Sequence, residues 1–243
     1  MKDSPAAFGN LYLIPTTLGE TEPLEVLPIS IKGAIEKIDH YIVENEKSAR
    51  HFIKKISPRK SQPGLQLYML NKFTDPESVS SFLNPCLDGQ PMAILSEAGC
   101  PAIADPGADL VRLAHTKNIR VVPLVGPSSV ILALMASGLN GQQFAFNGYL
   151  PIDSAERKRA IKRLEKISRE SGQAQIFIET PYRNDSLLAE LLKTLSGNTQ
   201  LCVACDLTLP SEYIRTMAVN EWQRTTYETL HKRPAIFIFQ AQT

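Results

Sequence analysis

The chain has 243 residues, 43% of them hydrophobic and 21% charged, with 26 Lys and Arg against 25 Asp and Glu. That length suits one large or two compact domains, and a net charge of +1 excludes a protein that seeks polyanions over its whole surface, leaving only local basic patches. No run approaches the roughly 20 apolar residues that span a bilayer, the opening MKDSPAAFGN has no apolar centre for a secretory leader, and four cysteines (Cys86, Cys100, Cys202, Cys205) are too few and too scattered for a disulfide framework, so a cytoplasmic protein without membrane attachment is expected.

Asn10–Ile14 reads as a first strand, followed by a turn bracketed by Pro15 and Gly19. Ile29–Ile38 sets Ile31, Ala34, Ile35 and Ile38 at helical spacing. Tyr41–Val43 is a strand, Lys47 to Lys60 a basic segment, Leu67–Leu70 another strand, and Asp75-Pro76 has the form of a helix start. Met92–Leu95 is apolar without alternation, the mark of a buried strand. After the loop from Ser96 to Ala104, Asp105-Pro106 is expected to open a helix, the carboxylate capping free N–H groups and the proline taking the first helical position. Arg120–Val125 is strand-like, and Gly126-Pro127-Ser128-Ser129 leads into an apolar helix ending near Gly138. Such alternation predicts a parallel sheet covered on both faces.

Asn140–Asp153 changes composition, which places a domain boundary between residues 139 and 140, giving domains 1–139 and 140–243. Phe144–Tyr149 is the second domain's first strand, Ala155–Ser171 a long basic helix, Gln175–Ile178 a strand and Asn184–Leu195 a helix. Leu201–Leu207 and Ala235–Phe239 are strands, and Tyr213–Val219 adds one that makes this half partly antiparallel. The expected fold class is α/β, with a mostly parallel amino-terminal sheet and a mixed carboxy-terminal one.

Four strands end in small or polar loops: Ile14–Thr17, the loop from Ser96, Val125–Ser129 and Ile178–Pro181. Strand ends gather at a sheet edge, where α/β proteins bind ligands. Glu97 reads either as an acceptor for a ribose or an amine or as a solvated loop acid. Ser128 and Ser129 read either as anion-binding hydroxyls or as a helix cap. No dinucleotide or phosphate-binding glycine loop and no G-x-S-x-G elbow is present. Cys202-x-x-Cys205 sits in strand-like sequence without further ligands, so packing is expected there and no metal. Lys47, Arg50, Lys54, Lys55, Arg59 and Lys60 form one basic run, and Arg157, Lys158, Arg159, Lys162, Arg163 and Lys166 another. Each is a solvated face or a local polyanion site.

The stretch SEAGCPAIADPGADLV resembles the signature loop of the tetrapyrrole-methylase-type S-adenosylmethionine methyltransferases. It is most similar to the branch typified by the ribosomal small-subunit methyltransferase I, with its S-D-A-G-x-P-x-x-x-D-P-G-x-x-L-V. Leu11 through Gly19, PLVGPSSVILALMASGL from Pro123, Gly148-Tyr149-Leu150-Pro151, Glu179-Thr180-Pro181-Tyr182-Arg183 and Asp206-Leu207-Thr208 with Glu212 match further segments of that branch in order. The resemblance implies the tetrapyrrole methylase fold (class III methyltransferase), two α/β domains with S-adenosylmethionine in the cleft between them, and a homodimer. Binding positions carry over to Pro15, Glu97, Cys100, Ile103, Ser128, Ser129, Thr180, Pro234 and Ala235. Glu97 stands where the branch has aspartate. The acceptor implied is a cytidine ribose 2′-hydroxyl in small-subunit ribosomal RNA, with Glu44, Lys47, Glu179, Arg183 and Asp206 as acceptor-side catalytic candidates. The branch's E-D-T-R appears as Glu44-Asn45-Glu46-Lys47, its H-D-H-N as Asn71-Lys72-Phe73-Thr74, and its K-G-E as Lys232-Arg233-Pro234. These departures fall on substrate-side loops. They keep two alternatives open: methylation of a tetrapyrrole or other small molecule, and a cofactor-binding protein that has lost catalysis.

Overall fold

In the computed structural model, which describes Phe8–Gln242, the strands form two five-stranded sheets. Met1–Ala7, which hold most of the segment behind the leader expectation, and Thr243 lie outside the described residues. The first stretch runs β1 (Leu11–Ile14), α1 (Pro23–Val26), α2 (Ser30–Lys37), β2 (His40–Val43), α3 (Glu46–Ile56), β3 (Gln66–Met69), α4 (Pro76–Val79), α5 (Asn84–Leu87), β4 (Met92–Leu95), α6 (Ala108–Thr116) and β5 (Val121–Pro123). The second runs α7 (Ser129–Ser137), β6 (Phe144–Tyr149), α8 (Ser154–Ser171), β7 (Ala174–Ile178), α9 (Asn184–Thr194), β8 (Gln200–Cys205), β9 (Tyr213–Ala218), α10 (Val219–Trp222) and β10 (Ala235–Gln240).

The first sheet has the order β3-β2-β4-β1-β5 and every pairing in it is parallel. β4 is central, with Met92 opposite both Leu11 and His40. Successive strand residues point to opposite faces, and all four residues of β4 are buried. Met92 and Ile94 pack with Leu11, Ile42, Leu110 and Ala114. Ala93 and Leu95 pack with Ile14, Tyr41, Phe52 and Ile53 on the other face. The apolar run without alternation is thus the signature of a strand covered by helices on both sides. The basic segment after β2 is helix α3, which Asn45 caps by accepting from the backbone N–H of Lys47 (2.9 Å) and Ser48 (3.2 Å).

The second sheet has the order β6-β7-β10-β8-β9; β6 and β7 are parallel and the remaining pairs antiparallel. Phe177, Phe237, Phe239, Val203 and Trp222 form its core with residues of α8 and α9. The Phe177 and Phe237 rings stack at 5.8 Å, and the Trp222 indole N–H donates to the Leu201 carbonyl at 2.8 Å. Thr216, paired opposite Cys202, donates to the Ser137 carbonyl at 2.8 Å, which ties α7 to the other face. The contacts accordingly divide the chain after Pro127, with α7 in the second unit, whereas the change of composition lies after residue 139. Cys202 and Cys205 point to opposite faces of β8, so they cannot chelate one ion together, and burial pushes both thiols up to about 11. No helix among the described residues is long and apolar enough to cross a membrane.

Close approach demands the glycine at position 126. A Cβ on Gly126 would lie 2.3 Å from Pro15 Cβ and 3.1 Å from Leu27 Cδ2. The Gly126→Ala variant is expected to lose about 1–3 kcal/mol of stability, because the loop after β5 must move off β1. Urea denaturation checks it, and an unchanged midpoint would show that the two loops part without cost.

Candidate active site

In an all-parallel sheet the carboxyl ends of the strands share one edge. At that edge of the first unit, β1 ends at Ile14-Pro15-Thr16, β2 at Val43-Glu44 and β4 at Leu95-Ser96-Glu97. The ends of β1 and β4 are stitched together. The Thr16 N–H donates to the Gly99 carbonyl at 2.9 Å, the Ser96 hydroxyl donates to the same carbonyl, and the Thr16 and Ser96 hydroxyl oxygens are 3.2 Å apart. Both side chains are buried. Pro15 is buried beside Gly126, and Cys100 directs its thiol at the Pro127 carbonyl at 3.4 Å. Cys100 is half-buried, and burial raises its pKa. Ile103 is more than half exposed on the same loop.

The loop after β4 departs from its expected course. Helix α6 begins at Ala108 with Gly107 as its N-cap at φ 125°, and no side chain caps it. Asp105-Pro106 therefore does not open the helix. Ala102 (φ 65°) and Ala104 (φ 60°) take left-handed conformations that cost most residues roughly 1–3 kcal/mol each. Asp105 follows this coil at the sheet edge, near enough to Glu97 and Glu44 for their charges to couple. The Glu44 carboxyl is raised by burial, then by the charges of Asp105 and Glu97; the Asp105 carboxyl is raised by burial and by Glu97. Ser48, on the first turn of α3, holds the Glu97 carboxylate with its hydroxyl 2.7 and 3.0 Å from the two oxygens. No ion pair is made by any of the three carboxylates among the described residues. Lys47 is exposed on α3. A cleft of about 250 Å³ opens beside this group, lined among others by Thr16, Ser48, Phe52, Lys55, Ser96 and Glu97.

On the second unit, the end of β7, the end of β8 and the start of β10 share an edge, since Ile178 pairs with Ile236 and Cys205 with Ala235. Here the carboxylates are neutralised. Glu179 is buried, and its Oε1 accepts from the Arg183 guanidinium at 2.6 and 3.1 Å and from the Thr180 N–H at 2.6 Å. The Thr180 hydroxyl accepts from Arg183 at 3.3 Å. Asp206, at φ 51°, accepts through Oδ2 from Arg233 at 2.7 Å and from the Ser211 hydroxyl at 2.9 Å. Its N–H donates to the carbonyl of Pro234, an exposed residue that precedes buried Ala235. Ser128 is the N-cap of α7, its hydroxyl 3.5 Å from the Ile131 nitrogen, and Ser129 is the first helical residue.

The structure therefore gathers Pro15, Glu44, Lys47, Glu97, Cys100 and Ile103 on one unit, and Glu179, Thr180, Arg183, Asp206, Pro234 and Ala235 at one edge of the other. Thr16, Ser48, Ser96, Asp105 and Arg233 were not singled out by the sequence as site residues. Ser48 was legible as part of an N-cap turn, but its contact with Glu97 spans 49 residues. Among the described residues, no group of three His, Cys, Asp or Glu is placed to hold a metal ion.

Two outcomes follow from this geometry. The raised Glu44 carboxyl means that its protonation favours the fold: this contribution is full below about pH 4 and is lost as pH rises through the raised value. Glu44→Gln is expected to raise Tm at pH 7 and to give no gain at pH 4; an equal gain at both would show that charge is not the cause. Asp206 and Arg233 are largely buried as a pair, so Arg233→Met strands a carboxylate and is expected to cost about 3–5 kcal/mol. Asp206→Asn in the same background should restore part of that loss in a denaturation cycle, and no restoration would mean the pair is not the source.

No family model matches the chain. Against a ribosomal RNA small subunit methyltransferase I of Vibrio cholerae serotype O1 it is 31% identical over 211 residues, spanning 87% of this chain and 69% of the relative. Against the protein of the same name from Escherichia coli O157:H7 it is 30% identical over 213 residues, spanning 88% and 70%. Its fold is that of a solved cobalamin biosynthetic enzyme, cobalt precorrin-4 methyltransferase CbiF, with a TM-score of 0.60, 15% identity, and coverage of 95% of this chain and 94% of that one. Kinship at that level of sequence, on the tetrapyrrole methylase fold, assigns the chain to the ribosomal RNA small subunit methyltransferase I family of methyltransferases.

Proposed function

We propose that this methyltransferase moves a methyl group from S-adenosylmethionine to a cytidine ribose 2′-hydroxyl of small-subunit ribosomal RNA. The observation that carries the donor assignment is the set of three carboxylates at the first sheet edge. Glu44, Glu97 and Asp105 stand together without a cation, close enough for their charges to couple. Such a site suits a ligand that is itself cationic, as a sulfonium bearing an ammonium group is. Relatives named for ribosomal RNA methylation supply the support for the acceptor.

S-adenosylmethionine supplies an electrophilic methyl that carries its own leaving group. The tasks left to the chain are alignment, exclusion of water and handling one proton. Glu97, held by Ser48, would accept hydrogen bonds from the donor, with Pro15, Cys100 and Ile103 walling its place. A hydroxyl acceptor must give up a proton, and Glu44 is the carboxylate fitted to receive it. Burial and two neighbouring charges raise its pKa toward the working range of a general base. Lys47, exposed in the first turn of α3 three residues on, offers a cation to a phosphate. Glu179 and Asp206 are bound to Arg183 and Arg233 and act as positioning residues. The reading extends to a cytoplasmic homodimer; the four cysteines are free thiols, as a reducing compartment keeps them.

The test is transfer of a labelled methyl group to small ribosomal subunits, followed by mapping of the product to a ribose oxygen. Label on a base, or only on small molecules, would overturn the acceptor assignment. Loss of a charged hydrogen-bond partner costs about 1.5–3 kcal/mol, so Glu97→Ala is expected to weaken S-adenosylmethionine binding about 10- to 100-fold while Tm stays near wild type. Wild-type affinity in calorimetric titration would remove Glu97 from the donor site.

A further inference from the structure

The structure separates the two basic runs. In the first, Arg50 pairs with Glu46 and donates to the Gln62 carbonyl, Lys55 faces Glu22, and Lys60 holds Asp39 at 2.8 Å. Those three cations are spent on the fold, while Lys47, Lys54 and Arg59 are exposed and make no ion pair among the described residues. In the second, on α8, part of the run is likewise spent, and the rest shares one face of a single helix. Arg157 donates to Glu190 at 2.6 Å and to the carbonyls of Pro151 and Ile152, and its side chain is 16% exposed. Lys166 faces Glu170 and Arg169 faces Glu165. Lys158, Arg159, Lys162 and Arg163 are exposed, and among the described residues none of the four makes an ion pair or a side-chain hydrogen bond.

Helical geometry explains the division. At about 100° per residue, the buried Ile161, Leu164, Glu165 and Ser168 occupy one arc of α8, and Arg157 falls inside it. Lys158, Lys162, Lys166, Arg159 and Arg163 fall within an arc of roughly 140° on the opposite side. Like charges four residues apart cost about 0.2–0.5 kcal/mol per pair, and this face carries Lys158 with Lys162, Arg159 with Arg163, and Lys162 with Lys166. A polyanion would relieve that repulsion. Beside the stripe lies a groove of about 330 Å³ whose walls include Arg159, Arg163 and one acid, Glu156. The face of α8 opposite the cationic arc is buried in the fold, which disfavours a membrane surface, where an amphipathic helix inserts its apolar face.

We propose that the face of α8 formed by Lys158, Arg159, Lys162 and Arg163 docks the phosphate backbone of the RNA substrate. This inference rests on the reading of the chain as an RNA methyltransferase. The test compares wild type, the quadruple variant Lys158→Gln, Arg159→Gln, Lys162→Gln and Arg163→Gln, and a control, Lys54→Gln with Arg59→Gln, which removes exposed cations of the first run. The readouts are S-adenosylmethionine affinity, kcat and KM for methyl transfer to small-subunit RNA, and the salt dependence of RNA binding.

The quadruple variant is expected to keep donor affinity and kcat, to raise KM for RNA about tenfold or more, and to reduce the slope of log affinity against log salt by up to about 3. The control should move none of these. An unchanged KM and salt slope in an active quadruple variant would overturn the docking face and leave the methyltransferase reading standing. Donor binding by wild type with no transfer to RNA would sink the RNA reading and the docking face with it. Wild-type binding to phosphatidylserine vesicles in preference to RNA, lost in the quadruple variant, would reassign the stripe to a membrane.

Discussion

Everything at the first sheet edge depends on β4 being held between β1 and β2 with both of its faces buried. Apolar burial stabilises by roughly 25 cal/mol per Å², and in β4 it is drawn from both sides at once: Met92 and Ile94 toward α6, Ala93 and Leu95 toward α2 and α3. The direction of that pairing matters as much as its strength. Because the neighbours run parallel, Glu44 and Glu97 leave the sheet on the same edge, and the bonds among Thr16, Ser96 and Gly99 leave Glu97 little freedom to move away. Burial, and after it the charge of the neighbouring carboxylates, raises Glu44 and Asp105. A core packed on both faces can sustain such an edge where a marginal one could not.

The two units treat acids in opposite ways. Glu179 and Asp206 are buried, and each is matched by an arginine from nearby chain: Arg183 four residues on, and Arg233 from the segment leading into β10. Glu44, Glu97 and Asp105 stay nearer to solvent and unmatched. A buried carboxylate without a partner would cost several kcal/mol, so pairing is the condition for keeping Glu179 and Asp206 charged where they are. The unmatched trio is tolerated because it is only partly desolvated, and its field is left for a ligand. Glu179 and Asp206 on the second unit are matched by arginines, and the three carboxylates on the first are not.

Much of this was legible in the sequence, and the failures have identifiable causes. The strands of both sheets were readable because β4 lacks alternation and because β-branched and aromatic residues fill β7 and β10. The resemblance carried the fold and the methyltransferase assignment. Helix α3 was masked by its charge, although Ala49, Phe52, Ile53 and Ile56 hold the i, i+3, i+4, i+7 pattern. Asp105-Pro106 has the local chemistry of a helix start, yet Gly107 at φ 125° lets the chain turn once more before α6, and tertiary placement prevails over capping preference. The matching of Asp206 by Arg233 spans 27 residues, and composition does not reveal which arginine meets which acid.

A net charge of +1 conceals two local concentrations of opposite sign. One is the acid trio at the first sheet edge, the other the free stripe of α8, and several cations elsewhere, Arg50, Lys60 and Arg157 among them, are cancelled by contacts within the fold. The proposed reaction pairs a cationic donor with a polyanionic acceptor and so calls for both signs on one chain. Salt at physiological strength screens exposed charges from one another beyond about 8–10 Å, so a cluster of cations attracts phosphate locally whatever the sum over the chain. Near-neutral composition is therefore compatible with RNA as a substrate, provided the free cations are concentrated, and the burial pattern of α8 concentrates them by turning Arg157 inward and its four neighbours out.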